Sequence, residues 1–161
     1  MIAARPDPSQ MEWINPKGYS AVIDHYKRQW LIWRVPVWQI TLDDDEPLTL
    51  RLDEHCYCQP SRRYFSDFGS IPPWLTWLPG FGRTRFAKSF LVHDSACKYH
   101  GLWFSSTYGG KYAFSTMPSK RVHQYLEACA KTEGANVANA RAIYRAVRLF
   151  GPQWVTDTAT N

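Results

Sequence analysis

The feature that most constrains this chain is a change of hydrophobic period part-way along it. Up to about Tyr64 the apolar residues tend to alternate, as in Leu48, Leu50 and Leu52 set against Thr49, Arg51 and Asp53. Beyond that point they return every three or four positions, as in Val122, Tyr125, Leu126, Cys129 and Ala130. Strand side chains alternate between two faces, whereas helical ones revisit one face about every 3.6 residues, so the two halves call for different secondary structure. The expected fold class is α+β: a small antiparallel sheet in the N-terminal half packed against about three helices in the C-terminal half.

Strand signals cover Tyr19 to Ile23, Trp30 to Thr41 with a break at Pro36, and Leu48 to Cys58. Between the last two lies Asp43-Asp44-Asp45-Glu46-Pro47, an acidic run ended by proline that suits a solvated hairpin loop. A cation bound by these four acids is the alternative. After Tyr64, Ser70 and Ile71-Pro72-Pro73 place a cap and prolines at the start of a short helix through Trp74 to Trp77, which Pro79-Gly80-Phe81-Gly82 ends. Thr84 to His100 reads as a largely buried helix closing on Gly101, and Gly101 to Thr116 as a loop or short hairpin. Pro118 to Glu133 and Asn136 to Phe150 are amphipathic helices stopped by Gly134 and by Gly151-Pro152.

At 161 residues the chain suits one core, so residues 1–161 are expected to form a single domain. Within it we expect an extended N-terminal arm over 1–18, a β-rich part over 19–65, a helical part over 66–154 and a tail over 155–161. Hydrophobic residues at 45% and charged residues at 20% exclude a disordered or coiled-coil chain. The opening Met1 to Ile14 has no apolar run, so no signal peptide is expected, and no window of about 18 apolar residues predicts a membrane span. Cys56, Cys58, Cys97 and Cys129 are too sparse for a disulfide scaffold and lack zinc-ribbon spacing, which makes buried free thiols the expectation. Cys56 and Cys58 share one strand face and would join a metal site if other ligands came near.

The segment richest in chemistry is Ser66-Asp67-Phe68-Gly69-Ser70-Ile71-Pro72, followed a helix later by Val92-His93-Asp94. A carboxylate at a strand-to-helix turn and a His-Asp pair on the next helix supply oxygen and imidazole ligands of the kind zinc, manganese or iron accepts. These residues resemble the DUF1353 family, largely bacteriophage-associated proteins with a Thr-Asp-Gly-Ala-Ser-Ile-Pro-like turn, a His-Asp pair on the following helix and an Ala-Asp step on a third. The resemblance runs from about Arg51 to Trp154, and Leu149-Phe150-Gly151 looks like the closing motif. Ser66 stands for the usual Thr and Gly69 for the usual Ala, while His123 falls where the third acid would be.

On that pattern Asp67, His93, Asp94 and His123 would hold a divalent ion, with Asp67, His93 and Asp94 the catalytic candidates and Ser70, Pro72 and Gly151 structural. Alternatively Asp67 caps the next helix while His93 and Asp94 tie helices to sheet. His93, Cys97 and His100 also share a helix face and offer a metal set of their own.

The resemblance implies an accessory structural protein of a phage particle, in its tail or adsorption apparatus, acting through contacts with other virion proteins or with itself, and located in the virion or host cytoplasm. A metal-dependent hydrolase acting on cell wall or phosphoesters is the alternative. A nucleic-acid-binding module is the third reading. The net charge of +5 and the Arg141, Arg145 and Arg148 face would serve it, with Arg62, Arg63, Arg83 and Arg85 near Trp77, Phe81 and Phe86. A Gly-x-Ser-x-Gly elbow and a phosphate-binding loop are both missing, which argues against serine-hydrolase and nucleotide-binding classes.

Overall fold

A computed structural model describes residues 6–29, 33–68 and 85–155 of the chain. Among them are eight strands and three helices, in the order β1 (Glu12–Trp13), β2 (Tyr19–Gln29), β3 (Trp33–Leu42), β4 (Leu50–Asp53), β5 (Cys56–Gln59), β6 (Arg63–Ser66), α1 (Ala87–Tyr99), β7 (Gly101–Ser105), β8 (Ala113–Thr116), α2 (Ser119–Thr132) and α3 (Val137–Phe150). The α+β expectation holds, but the strands form two antiparallel sheets rather than one. One has the order β1-β4-β5-β7-β8 and the other β2-β3-β6. The C-terminal half contributes to the first, because Gly101 to Thr116 folds as a hairpin that adds β7 and β8 to β5. The arm expected over 1–18 likewise ends in structure: β1 pairs with β4, and Met11 is buried.

Several local readings are corrected. The strand from Leu48 to Cys58 is a hairpin, turned at Glu54-His55 where the Asp53 carboxylate accepts the His55 N–H. The first strand does not stop at Ile23 but continues to Gln29 past a bulge between Ile23 and His25. Pro36 does not break β3, because it stands where, among the described residues, β3 has only β2 as a neighbour and its missing N–H interrupts no second ladder. The acidic Asp43–Glu46 run is no hairpin either, since it carries the chain from one sheet to the other. It folds over Gly18, whose carbonyl accepts the N–H groups of Asp43 and Leu48. A Cβ at Gly18 would fall 2.0 Å from the Glu46 carbonyl oxygen, so only glycine fits there.

Helix α1 joins three apolar clusters. Val92 and Ala96 enter the core under the five-stranded sheet, Leu91 enters the core under the three-stranded sheet, and Phe90 packs with Leu126, Ala140 and Ile143 of the other helices. The helix ends one residue earlier than expected, at Tyr99, and its cap His100 adopts a left-handed φ of 57° so that Gly101 can begin β7. Helix α2 does stop at Gly134: its φ is 92°, with Gly134 N–H bonded to Lys131 O and Ala135 N–H to Ala130 O in the paired pattern that satisfies terminal carbonyls. Asn136 caps α3 by accepting the Asn139 N–H. The expected short helix Trp74–Trp77, the start at Thr84, and Ser70, Pro72, Arg83 and residues 156–161 lie outside the described residues. No helix among the described residues is long and apolar enough to cross a membrane.

Because Phe90 is fully buried where all three helices meet, Phe90→Ala should lower unfolding free energy by about 3–5 kcal/mol in denaturant titration. Leu149→Ala, at a position 76% exposed on α3, should stay within about 0.5 kcal/mol of the parent.

Candidate metal centre

His93 lies on the inner side of α1 and His123 on that of α2, and both are buried. Their rings meet with His93 Nε2 3.0 Å from His123 Nδ1. Cys97 stands one turn after His93, with its Sγ 3.4 Å from the same Nε2. The three side chains place ligand atoms within 4.8 Å of one another, an arrangement able to hold a metal ion. Tetrahedral zinc with about 2.0–2.1 Å bonds to nitrogen and about 2.3 Å to sulfur requires N···N near about 3.3 Å and N···S near about 3.6 Å. The two separations from His93 Nε2 need to open by only a few tenths of an ångström.

The surrounding groups fit the same use. His93 Nδ1 faces Asp94 Oδ1 at 3.4 Å, so Nε2 is left for the ligand set while the carboxylate orients the ring. Asp94 is itself held, because Ser66 Oγ donates to its Oδ2 at 2.6 Å and accepts the Phe68 N–H at 3.0 Å. Phe68 has a φ of 54°, a conformation that strains a non-glycine residue, and this one hydroxyl spans the strained turn and the acid. His123 is steadied from the chain beyond α3, where it hydrogen-bonds the Pro152 carbonyl and has Gln153 Nε2 3.5 Å from its own Nε2. Gln153 is fixed in turn, accepting from Arg148 Nη1 and donating to the Arg148 carbonyl. Gly151 lets this segment turn back so closely that a Cβ there would sit 2.4 Å from the Val147 carbonyl oxygen.

An open cleft of about 410 Å³ borders this cluster. Asp67, His93, Asp94 and Cys97 all line it, with Val37, Phe65, Phe90 and Val147 as apolar wall and Lys98 and His25 among the polar lining. The sequence-predicted residues therefore divide. Asp67, His93 and Asp94 share one cleft, while His123 reaches it through His93. The proposed helix-face set of His93, Cys97 and His100 is corrected: His100 is turned away by its left-handed backbone, is exposed, and stacks on Trp154 at 4.6 Å, so His123 takes its place. Cys56 and Cys58 belong to the apolar core and its edge. The arginine face is interrupted as well, since Arg148 is engaged with Gln153 while Arg141 and Arg145 are exposed. Ser66 and Gln153 were not singled out from sequence. A hydroxyl next to the motif acid was the only signal for the first, and none existed for the second.

Electrostatics favour the uncharged forms of His123 and Cys97. Burial, then the neighbouring His93 and Arg148, pull the His123 imidazole down to about 4, against a smaller opposite pull from the Pro152 carbonyl. Burial and the nearby Asp94 push the Cys97 thiol far above its ordinary range. A divalent cation reverses that second effect by stabilising the thiolate, so loading releases a proton and tightens as pH rises.

Comparison of the chain with known protein families, with curated proteins and with solved structures finds no match.

In metal-free protein, His123 takes up a proton in the unfolded chain before it does so in the folded one. The folded state is therefore favoured fully above about pH 6.5 and loses that advantage as pH falls toward about 4, by up to about 3 kcal/mol. Thermal midpoints measured between pH 7 and 4.5 should fall for the parent and change much less in His123→Leu.

Proposed function

We propose that the protein is a metal-dependent hydrolase whose ion is held by His93, Cys97 and His123. The observation that carries the reading is three ligand atoms gathered beside a cleft that also presents Asp67 and Asp94. Three protein ligands with a fourth position open to solvent is the pattern of catalytic rather than structural zinc. Of zinc, manganese and iron, the thiol of Cys97 favours zinc, since manganese prefers oxygen ligands. The chemistry such an ion supplies is acidification of water near neutral pH. Asp94 orients His93, Asp67 offers a carboxylate to accept a proton, and the apolar wall of Val37, Phe65 and Phe90 excludes bulk water from one side.

A second reading keeps the phage association of the DUF1353-like turn and His-Asp pair and makes the protein an accessory structural component of a virion. Its support is the long strand β2, which among the described residues is an edge strand with Val22, Ile23 and Tyr26 largely exposed. In that reading the histidine pair only fixes packing. Self-association seen by sedimentation at micromolar concentration, and lost in Val22→Lys, would favour it. Nucleic-acid binding, the third reading, has the weakest support, because only Arg141 and Arg145 of its arginine face project freely.

Elemental analysis of the purified protein separates the first two readings. We expect about one zinc per chain, lost in His93→Ala, Cys97→Ser and His123→Ala, and an affinity about 10–100-fold weaker in Asp94→Asn, which removes only the orienting carboxylate charge. A metal-free parent that also fails to take up zinc would leave the packing account standing.

A further inference from the structure

Away from the metal centre, the outer side of the five-stranded sheet carries a second recess of about 900 Å³. Gln59, Trp103 and Phe114 form a row across β5, β7 and β8, because Gln59 is registered opposite Trp103 and Trp103 opposite Phe114. Adjacent strands lie about 4.8 Å apart, so the row spans about 10 Å, the length of roughly two pyranose rings. Trp103 and Phe114 are held edge to face at 5.4 Å, and Tyr99 and Tyr112 extend the aromatic lining. Trp103, Phe114 and Tyr99 remain about 40% exposed, an unusual outlay of ring surface beside ordinary solvent. The platform is also built to stay in place. The Phe114 ring lies over Gly101, where an added Cβ would come within 2.7 Å of it, and the Tyr99 hydroxyl donates to the Arg63 carbonyl.

The polar groups beside these rings narrow the ligand. Gln59 Nε2 is committed to Thr49, which orients the amide and leaves Oε1 without a partner among the described residues. The Ser61 hydroxyl is likewise unengaged there, while its backbone N–H is held by Ser95. Arg62 gives one N–H to Asp44 in an exposed ion pair, and its other donors have no partner among the described residues. The recess thus offers flat rings, an acceptor, a hydroxyl and guanidinium donors, and the cation in its lining, Arg62, already pairs with a carboxylate. A phosphate backbone needs uncompensated cations, and a carboxylate ligand would meet a cation already paired. A neutral molecule with an apolar C–H face and hydroxyls at its edge meets every one of these groups.

We propose that this recess is a binding site for a neutral oligosaccharide, which stacks on Trp103 and Phe114 and hydrogen-bonds Gln59, Ser61 and Arg62. Stacked sugar rings would exclude water from the indole and phenyl faces, and the orienting bond from Gln59 to Thr49 means little side-chain freedom is lost on binding. The site is independent of the metal centre and can bind whether or not a metal is present.

The test uses the full chain and three probes, cellotriose, maltotriose and triacetylchitotriose, titrated to about 10 mM while tryptophan fluorescence and indole N–H resonances are followed. At least one probe should saturate with a dissociation constant in the millimolar range or below. Trp103→Ala should weaken it about tenfold or more, Trp103→Phe should retain most of it, and Gln59→Ala should weaken it without loss of thermal midpoint. Absence of saturation with all three sugars overturns the proposal. So does tighter, salt-sensitive binding of an oligothymidylate control, or sugar binding that survives in Trp103→Ala.

Discussion

Helix α1 has almost no solvent side through its middle turns: Ser89 to His93, Ser95 and Ala96 are all buried. Both sheets and both later helices press on it, so whatever polar group it carries inward must be satisfied inside the protein. For Ser89 the partner is the Glu133 carboxylate at the end of α2, which also accepts from Lys88. For His93 it is the imidazole of His123 on one side and Asp94 on the other. The contact between the two rings therefore fixes how α1 and α2 face each other, and the cleft beside it follows from that packing.

The same constraint explains why the centre is asymmetric. Its candidate ligands come from the two helices, but the groups that orient them come from chain segments before the first helix and after the last. Ser66 at the end of β6 holds Asp94, and Pro152 and Gln153 beyond α3 hold His123. Neither helix pair nor sheet alone would position the imidazoles; the strained turn at Phe68 and the close return at Gly151 are both needed. A half-buried thiol, a low-lying imidazole and a neighbouring carboxylate form a set that a cation would stabilise.

Periodicity is enough to place the three helices and to separate the buried leucines of β4 from the outward Arg51 and Asp53, since those patterns follow from local geometry alone. The pairing of β7 with β5 was not legible, because Gly101 to Thr116 has no clean alternation and its partner lies far away in sequence. Pro36 and the Asp43–Glu46 run misled for a related reason: the meaning of each depends on which neighbour a strand has on its second edge. At the site, Asp67, His93 and Asp94 could be singled out from one turn and one helix. That Cys97 rather than His100 faces His123 depends on a backbone reversal at His100 and on the rotation of α1 against α2, neither of which helical spacing contains.

The most direct test of the account is the optical spectrum of the chelated protein titrated with cobalt(II). A thiolate-to-cobalt charge-transfer band together with intense visible bands of a four-coordinate ion, both saturating at one equivalent and the first lost in Cys97→Ser, is the predicted result. A titration that yields only the weak spectrum of six-coordinate cobalt, unchanged by that substitution, would contradict it.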